Sequence, residues 1–178
     1  LKKLAEEGAP EAQYNLGLMY SLGKEISKDD KEAFKWYQLA AEQGFAEAQT
    51  NLGLMYGKGQ GVEQDFNQAV KWYRLAAEQG LAQAQHNLGV MYGRGQGVAK
   101  DLIEAVWWFK LAAEQGYGQA QYNLGLMHSR GEGVTKDDEE AVKWYRLSAE
   151  QGIPGAQSNL GLMYEKGLGV KQDYIEAH

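Results

Sequence analysis

The amino-acid sequence predicts an all-α solenoid of antiparallel helix pairs with a 36-residue period, and three observations carry that prediction. The string Asn-Leu-Gly recurs at Asn15, Asn51, Asn87, Asn123 and Asn159, always 36 residues apart, and a fixed period of this length is the signature of a repeat array. With the Asn as column 1, fifteen of the 36 columns are identical in all four full copies, so no linker interrupts the period. Within each copy the apolar residues follow helical spacing and do not alternate. The chain divides into a partial copy at 1–14, full copies at 15–50, 51–86, 87–122 and 123–158, and a partial copy at 159–178, read together as one array over 1–178.

Helix A runs from column 31 into column 7 of the next copy. In Ala46 to Gly57 it places Ala48, Leu52, Met55 and Tyr56 on one stripe. Pro10 and Pro154 both fall on column 32, the first-turn position where a missing N–H costs nothing. Helix B starts at the Asp of column 15 (Asp29, Asp65, Asp101, Asp137, Asp173), followed three residues later by Glu32, Gln68, Glu104, Glu140 or Glu176. That spacing predicts a capping box, in which the Asp takes a first-turn N–H and the Glu or Gln reaches back to the Asp N–H. Helix B ends at Gly44, Gly80, Gly116 or Gly152, with Phe45, Leu81, Tyr117 or Ile153 next, which suits a left-handed cap with its apolar contact. The connecting loop, such as Gly57-Lys58-Gly59-Gln60-Gly61-Val62, is read as a turn. No Gly-Lys-Ser/Thr follows it and no strand precedes it, as a phosphate loop would need.

Composition removes several function classes. The 178 residues carry 18 Lys+Arg against 24 Asp+Glu, a formal charge of -6, three His and no Cys. Broad binding to a nucleic-acid backbone is excluded by that charge, and membrane insertion by the lack of a long apolar run. A disulfide framework or zinc–thiolate site is excluded by the missing cysteines. No cofactor and no metal are expected, since His86 and His128 lie on different faces and the terminal His178 carries no signal. The chain opens with Leu1 and stops inside the start of another helix B. It therefore reads as part of a longer array, and periplasmic, secreted and cytoplasmic locations all stay open.

Residues such as Ala48-Gln49, Leu52-Gly53, Tyr56, Gly59, Gly61-Val62, Asp65, Ala69, Trp72-Tyr73 and Ala76-Ala77-Glu78-Gln79-Gly80 resemble the Sel-one-like repeat (SLR), a 36-residue relative of the tetratricopeptide repeat. The resemblance covers essentially the whole chain and implies a right-handed superhelical α-solenoid, bacterial in origin, that works as an adaptor or scaffold for protein–protein interaction. Cysteine-rich bacterial cousins have been ascribed β-lactam binding or hydrolysis. This chain lacks every one of their cysteines, which sets that activity below an adaptor role or a structural, self-associating spacer.

On a helical wheel, columns 34, 2, 5 and 6 of helix A form the core side, facing Trp36, Trp72, Trp108 and Trp144 of helix B. A glycine at column 3, mid-helix, predicts close helix approach. The opposite side of helix A carries an apolar stripe at column 4: Leu18, Leu54, Val90, Leu126 and Leu162. Beside it column 36 varies (Tyr14, Thr50, His86, Tyr122, Ser158), and column 8 reads Leu22, Lys58, Arg94, Arg130 and Lys166. These predict a concave protein-binding groove with an apolar floor and a basic edge, taking a peptide or protein segment. The competing reading packs Leu and Val between neighbouring helices A and leaves the cations to the helix dipole.

Trp107 breaks the repeat, standing where Lys35, Lys71 and Lys143 stand in the other copies, and is expected as an exposed second interface or a site of weak self-association. His128 replaces a Tyr and is expected to be partly buried and satisfied. No Ser has a recurrent His or Lys partner, so no catalytic residues are assigned and the chain is read as non-enzymatic.

Overall fold

A computed structural model describes residues 1–173 and 175; the expected cap partner Glu176 and the terminal His178 lie outside the described residues. Among the described residues the structure is all helical: α1 Lys2–Glu6, α2 Pro10–Leu22, α3 Asp30–Glu42, α4 Ala46–Lys58, α5 Phe66–Glu78, α6 Ala82–Arg94, α7 Leu102–Glu114, α8 Gly118–Arg130, α9 Asp138–Glu150 and α10 Pro154–Lys166. Even-numbered helices are helices A and odd-numbered ones helices B, so the 36-residue period and the antiparallel pairing are as the sequence predicts. The chain forms two compact units, Leu1–Ala84 with Gln96–Ala99, and Gln85–Gly95 with Lys100 onward. In the first, α1 to α5 pack each on the next; in the second, α7 to α10 do so.

The caps explain why each helix starts and stops where it does. Asp29 Oδ1 accepts from the N–H groups of Lys31 and Glu32 at 2.9 and 3.1 Å, and Asp65 and Asp101 do the same in their copies. The second half of the capping box does not form. The Asp N–H instead donates to the helix A carbonyl of Tyr20, Tyr56, Tyr92 or His128, and Glu32 and Glu104 receive the indole N–H of Trp36 and Trp108 at 3.1 and 3.0 Å. The Glu therefore braces the core Trp one turn on. Helix B ends on left-handed Gly44, Gly80, Gly116 and Gly152 (φ +78 to +91), and the following residue donates back, as Phe45 N does to Ala40 O at 3.1 Å.

The core follows the predicted columns. Ala48, Leu52 and Met55 of α4 meet Ala33, Tyr37, Ala40, Ala41 and Trp72, and the four Trp of helix B are 4–9% exposed. Burial of one such ring contributes several kcal/mol at about 25 cal/mol per Å². The column 3 glycines have the expected reason: a Cβ on Gly53 or Gly125 would sit 2.8 or 2.7 Å from the ring of Tyr73 or Tyr145. The loop glycines have another. A Cβ on Gly61, Gly97, Gly133 or Gly169 would collide with the carbonyl of Asp30, Phe66, Leu102 or Asp138 at the start of the preceding helix B. The loop glycines thus seat each loop on the copy before it.

A glutamine pair, unread in the sequence, adds a second tie between copies. Gln43, Gln79, Gln115 and Gln151 each donate to the side-chain oxygen of the Gln 30 residues earlier at 2.7–2.8 Å. The receiving Gln is buried and turns its own amide onto a backbone carbonyl, as Gln49 does to Ala41 O and Gln121 to Ala113 O. A buried amide satisfied at both ends fixes register as well as contributing roughly 1 kcal/mol per bond.

Candidate interaction faces

Four of the five column 4 side chains, Leu18, Leu54, Val90 and Leu126, are half-buried, and Leu162 is exposed. In the first unit Leu18, Leu22, Leu54 and Met55 line an open cavity of about 260 Å³ together with Ser21, Tyr37, Asn51 and Gln60, with Lys28 and Asp30 also on its wall. Lys28 and Asp30 pair across 3.4 Å.

Tyr14, His86 and Tyr122 of column 36 are drawn into the packing, because they reach the aromatic of helix B below. Tyr14 lies 5.9 Å from the ring of Tyr37 and 5.1 Å from that of Phe45. Tyr122 lies 6.1 Å from Tyr145 and is so close over α10 that a Cβ on Gly155 would come within 2.9 Å of it. Thr50 is 2% exposed and gives its hydroxyl to Ala46 O, so it offers a partner no surface. Ser158 is exposed. Burial raises the Tyr14 and Tyr37 pKa values, against a neighbouring Asn51 amide that pulls them down.

His86 sits between the rings of Phe109 and Tyr117, at 5.7 and 5.2 Å. Its Nδ1 meets Asn87 Oδ1 at 3.2 Å and its Nε2 meets Asn123 Nδ2 at 3.0 Å, a pattern that suits the neutral ring with the proton on Nδ1. Burial lowers its pKa, and the Asn87 bond works the other way. His128 is half-buried as expected, but its buried Nδ1 has no hydrogen-bond partner, so it is not the satisfied histidine the sequence suggested.

Lys58, Arg94, Arg130 and Lys166 are exposed in the last turns of α4, α6, α8 and α10 and form no ion pair with another described residue. They stay available to a carboxylate. The serines are otherwise engaged: Ser21 and Ser129 share hydrogen bonds of 3.1 Å with the hydroxyls of Tyr37 and Tyr145, and Ser148 donates to Gly118 O at 2.8 Å. No group of three or more His, Asp or Glu side chains among the described residues could hold a metal ion, and no described helix is long and apolar enough to cross a membrane.

On helix B, the residue before each core Trp covers its ring. Lys35, Lys71 and Lys143 place their ammonium groups 5.3–5.4 Å from the Trp centroid. At α7 the cover is Trp107, edge-on to Trp108 at 4.3 Å, and it remains 50% exposed. The bracing of the indoles is uneven: Trp72, preceded by Gln68, and Trp144, whose Glu140 is turned to Lys143 at 3.0 Å, leave their N–H groups unpartnered.

The Sel1 repeat profile matches five consecutive segments, 10–45, 46–81, 82–117, 118–153 and 154–178, the same period in a different phase. The structure resembles a Sel1 repeat protein from Oxalobacter formigenes (42% identity, TM-score 0.89, covering 96% of this chain and 68% of that one). It also resembles c5321, a protective antigen of uropathogenic Escherichia coli with an SLR fold (42% identity, TM-score 0.64, 99% and 45% coverage). A third similar structure is a Sel1 repeat protein from Klebsiella pneumoniae (26% identity, TM-score 0.64, 98% and 85% coverage). This chain thus spans about two thirds of the first of these proteins and under half of the second. No curated protein sequence matches the chain. Sel1 repeat proteins are in general scaffolds for protein interaction. With five matched repeats over residues 10–178, the chain belongs to the Sel1 repeat family.

Proposed function

We propose that this array is a non-enzymatic adaptor whose helix A face takes an extended or helical segment of another protein, through apolar anchors and at least one carboxylate. The observation that carries this reading is the cavity of about 260 Å³ walled by Leu18, Leu22, Leu54 and Met55, a volume suited to one large apolar side chain. Leu18, Leu22 and Leu54 belong to columns that face away from the core, and the core side chain Met55 closes the cavity behind them. The second unit, taken by itself, offers Val90 and Leu126 on its own helices A, with Arg94 and Arg130 in their last turns, neither in an ion pair with another described residue. Arg recognises carboxylates with two parallel N–H bonds, and apolar anchors set at helical spacing are a common way to hold a peptide.

A spacer role draws its support from column 36, where Thr50 is buried and Tyr14, His86 and Tyr122 serve the packing. The test separates the two. A library of random 12-residue peptides is selected on the intact chain and on an Arg94→Glu, Arg130→Glu variant of equal melting temperature. An adaptor enriches peptides with Asp or Glu near Leu, Met or Phe, and the variant loses them by tenfold or more; a spacer enriches nothing. Tyr122 is left intact because its contacts with Tyr145 and Gly155 would confuse binding with stability.

A further inference from the structure

Three departures from the repeat fall on one helix, α7. Ile103 and Trp107 are 73% and 50% exposed, whereas the same columns hold Lys31, Asn67 and Glu139, and Lys35, Lys71 and Lys143, in the other copies. With the half-buried Leu111 they form an i, i+4, i+8 ridge, the kind that packs against another helix. The third departure is Leu102. In the first and fourth copies Lys28 and Lys136 pair with Asp30 and Asp138 at 3.4 and 3.3 Å; Leu102 stands where those Asp stand, and Lys100 forms no ion pair among the described residues.

We propose that α7 is a self-complementary interface on which a second copy of this chain docks antiparallel, about a two-fold axis passing near Trp107. The charges argue for that occupant. The exposed face carries Lys100 and Lys110 against Asp101, Glu104 and Glu114, with Lys110 and Glu114 paired at 3.9 Å, so it is close to neutral on a chain of net charge -6 that otherwise repels its copies. A two-fold contact brings residue i against residue j and j against i. About Trp107, residues 100 and 114 are equidistant, as are 103 and 111. At the shallow crossing of about 20° common between bundled helices, Ile103 lies level with Leu111 of the second copy. The Lys100 end then meets the Glu114 end. Parallel pairing would set Lys100 on Lys100 and Glu114 on Glu114. One helix a side buries less than a standard interface, so the dimer is weak and concentration-dependent.

Sedimentation velocity of the full chain from about 1 to 500 µM tests this. The wild type is expected to gain in sedimentation coefficient with concentration. Trp107→Lys, which restores the residue found in the other copies, stays monomeric throughout with an unchanged melting temperature. Lys100→Glu weakens association severalfold, and Lys100→Glu with Glu114→Lys restores it to within about threefold of wild type. A wild type that stays monomeric overturns the proposal. So does a Trp107→Lys variant that associates equally well, or a double variant no better than Lys100→Glu, which would mark a surface for another protein.

Discussion

The loop seams and the outer face of α7 show opposite responses to the same repeat. At the seams, Gly97 rests on the Phe66 carbonyl and Gly133 on that of Leu102, and copies two to four and the trailing copy keep glycine there (Gly61, Gly97, Gly133, Gly169), with only the first departing, at Glu25 (φ +66). On α7 the neighbouring columns change from Lys, Asn or Glu to Trp and Ile, and nothing in the packing resists. The contrast teaches that an array of this kind is specified where one copy touches the next, and is free to acquire new chemistry on its outer face.

The seam gives the largest expected effect. Gly133→Ala puts a methyl into the Leu102 carbonyl at a backbone φ of +72, and should cost about 3 kcal/mol or more in urea unfolding. Gly116→Ala shares the positive φ but meets nothing within 4 Å, so about 1 kcal/mol is expected. Equal losses would show that φ, and not the seam, is what the glycine serves. Next in size, Gln68→Glu offers the unpartnered Trp72 indole N–H the carboxylate that Trp36 and Trp108 enjoy, and should stabilise by about 1 kcal/mol.

A smaller effect is pH-dependent. Burial sets the His86 pKa below its unfolded value, so its contribution is fully present above about pH 6.5 and is lost as pH falls through the lowered value. The urea midpoint should therefore drop further between pH 7.5 and 5 in the wild type than in His86→Thr, which borrows the Thr of the second copy; parallel drops would remove His86 from the account. Trp107→Lys should change unfolding stability by no more than about 0.5 kcal/mol, since Lys covers the Trp below it in three copies.

The period, helix ends and core columns were legible because caps, glycines and apolar spacing are local signals. Column 3 could be read as a close approach from a helix-interior glycine alone. The Glu after the Asp cap could not, because the capping-box spacing and the bracing of an indole one turn on call for the same residue type. The glutamine pairs were hidden for a different reason: Gln49 and Gln79 stand 30 residues apart, and a bond between neighbouring copies leaves no short-range pattern. Column 36 was legible as diverse, but not the contacts its side chains make: Thr50 is buried, and Tyr14 and His86 pack on neighbouring rings.

Under the two proposals, helix A residues and the outer face of α7 take different partners. The most direct measurement is a cross of two variants against two readouts: anisotropy of a fluorescent acidic–apolar peptide enriched on the wild type, and sedimentation at high protein concentration. Arg94→Glu with Arg130→Glu should lose the peptide and keep association, and Trp107→Lys should do the reverse. Loss of both readouts in either variant, with melting unchanged, would contradict the account.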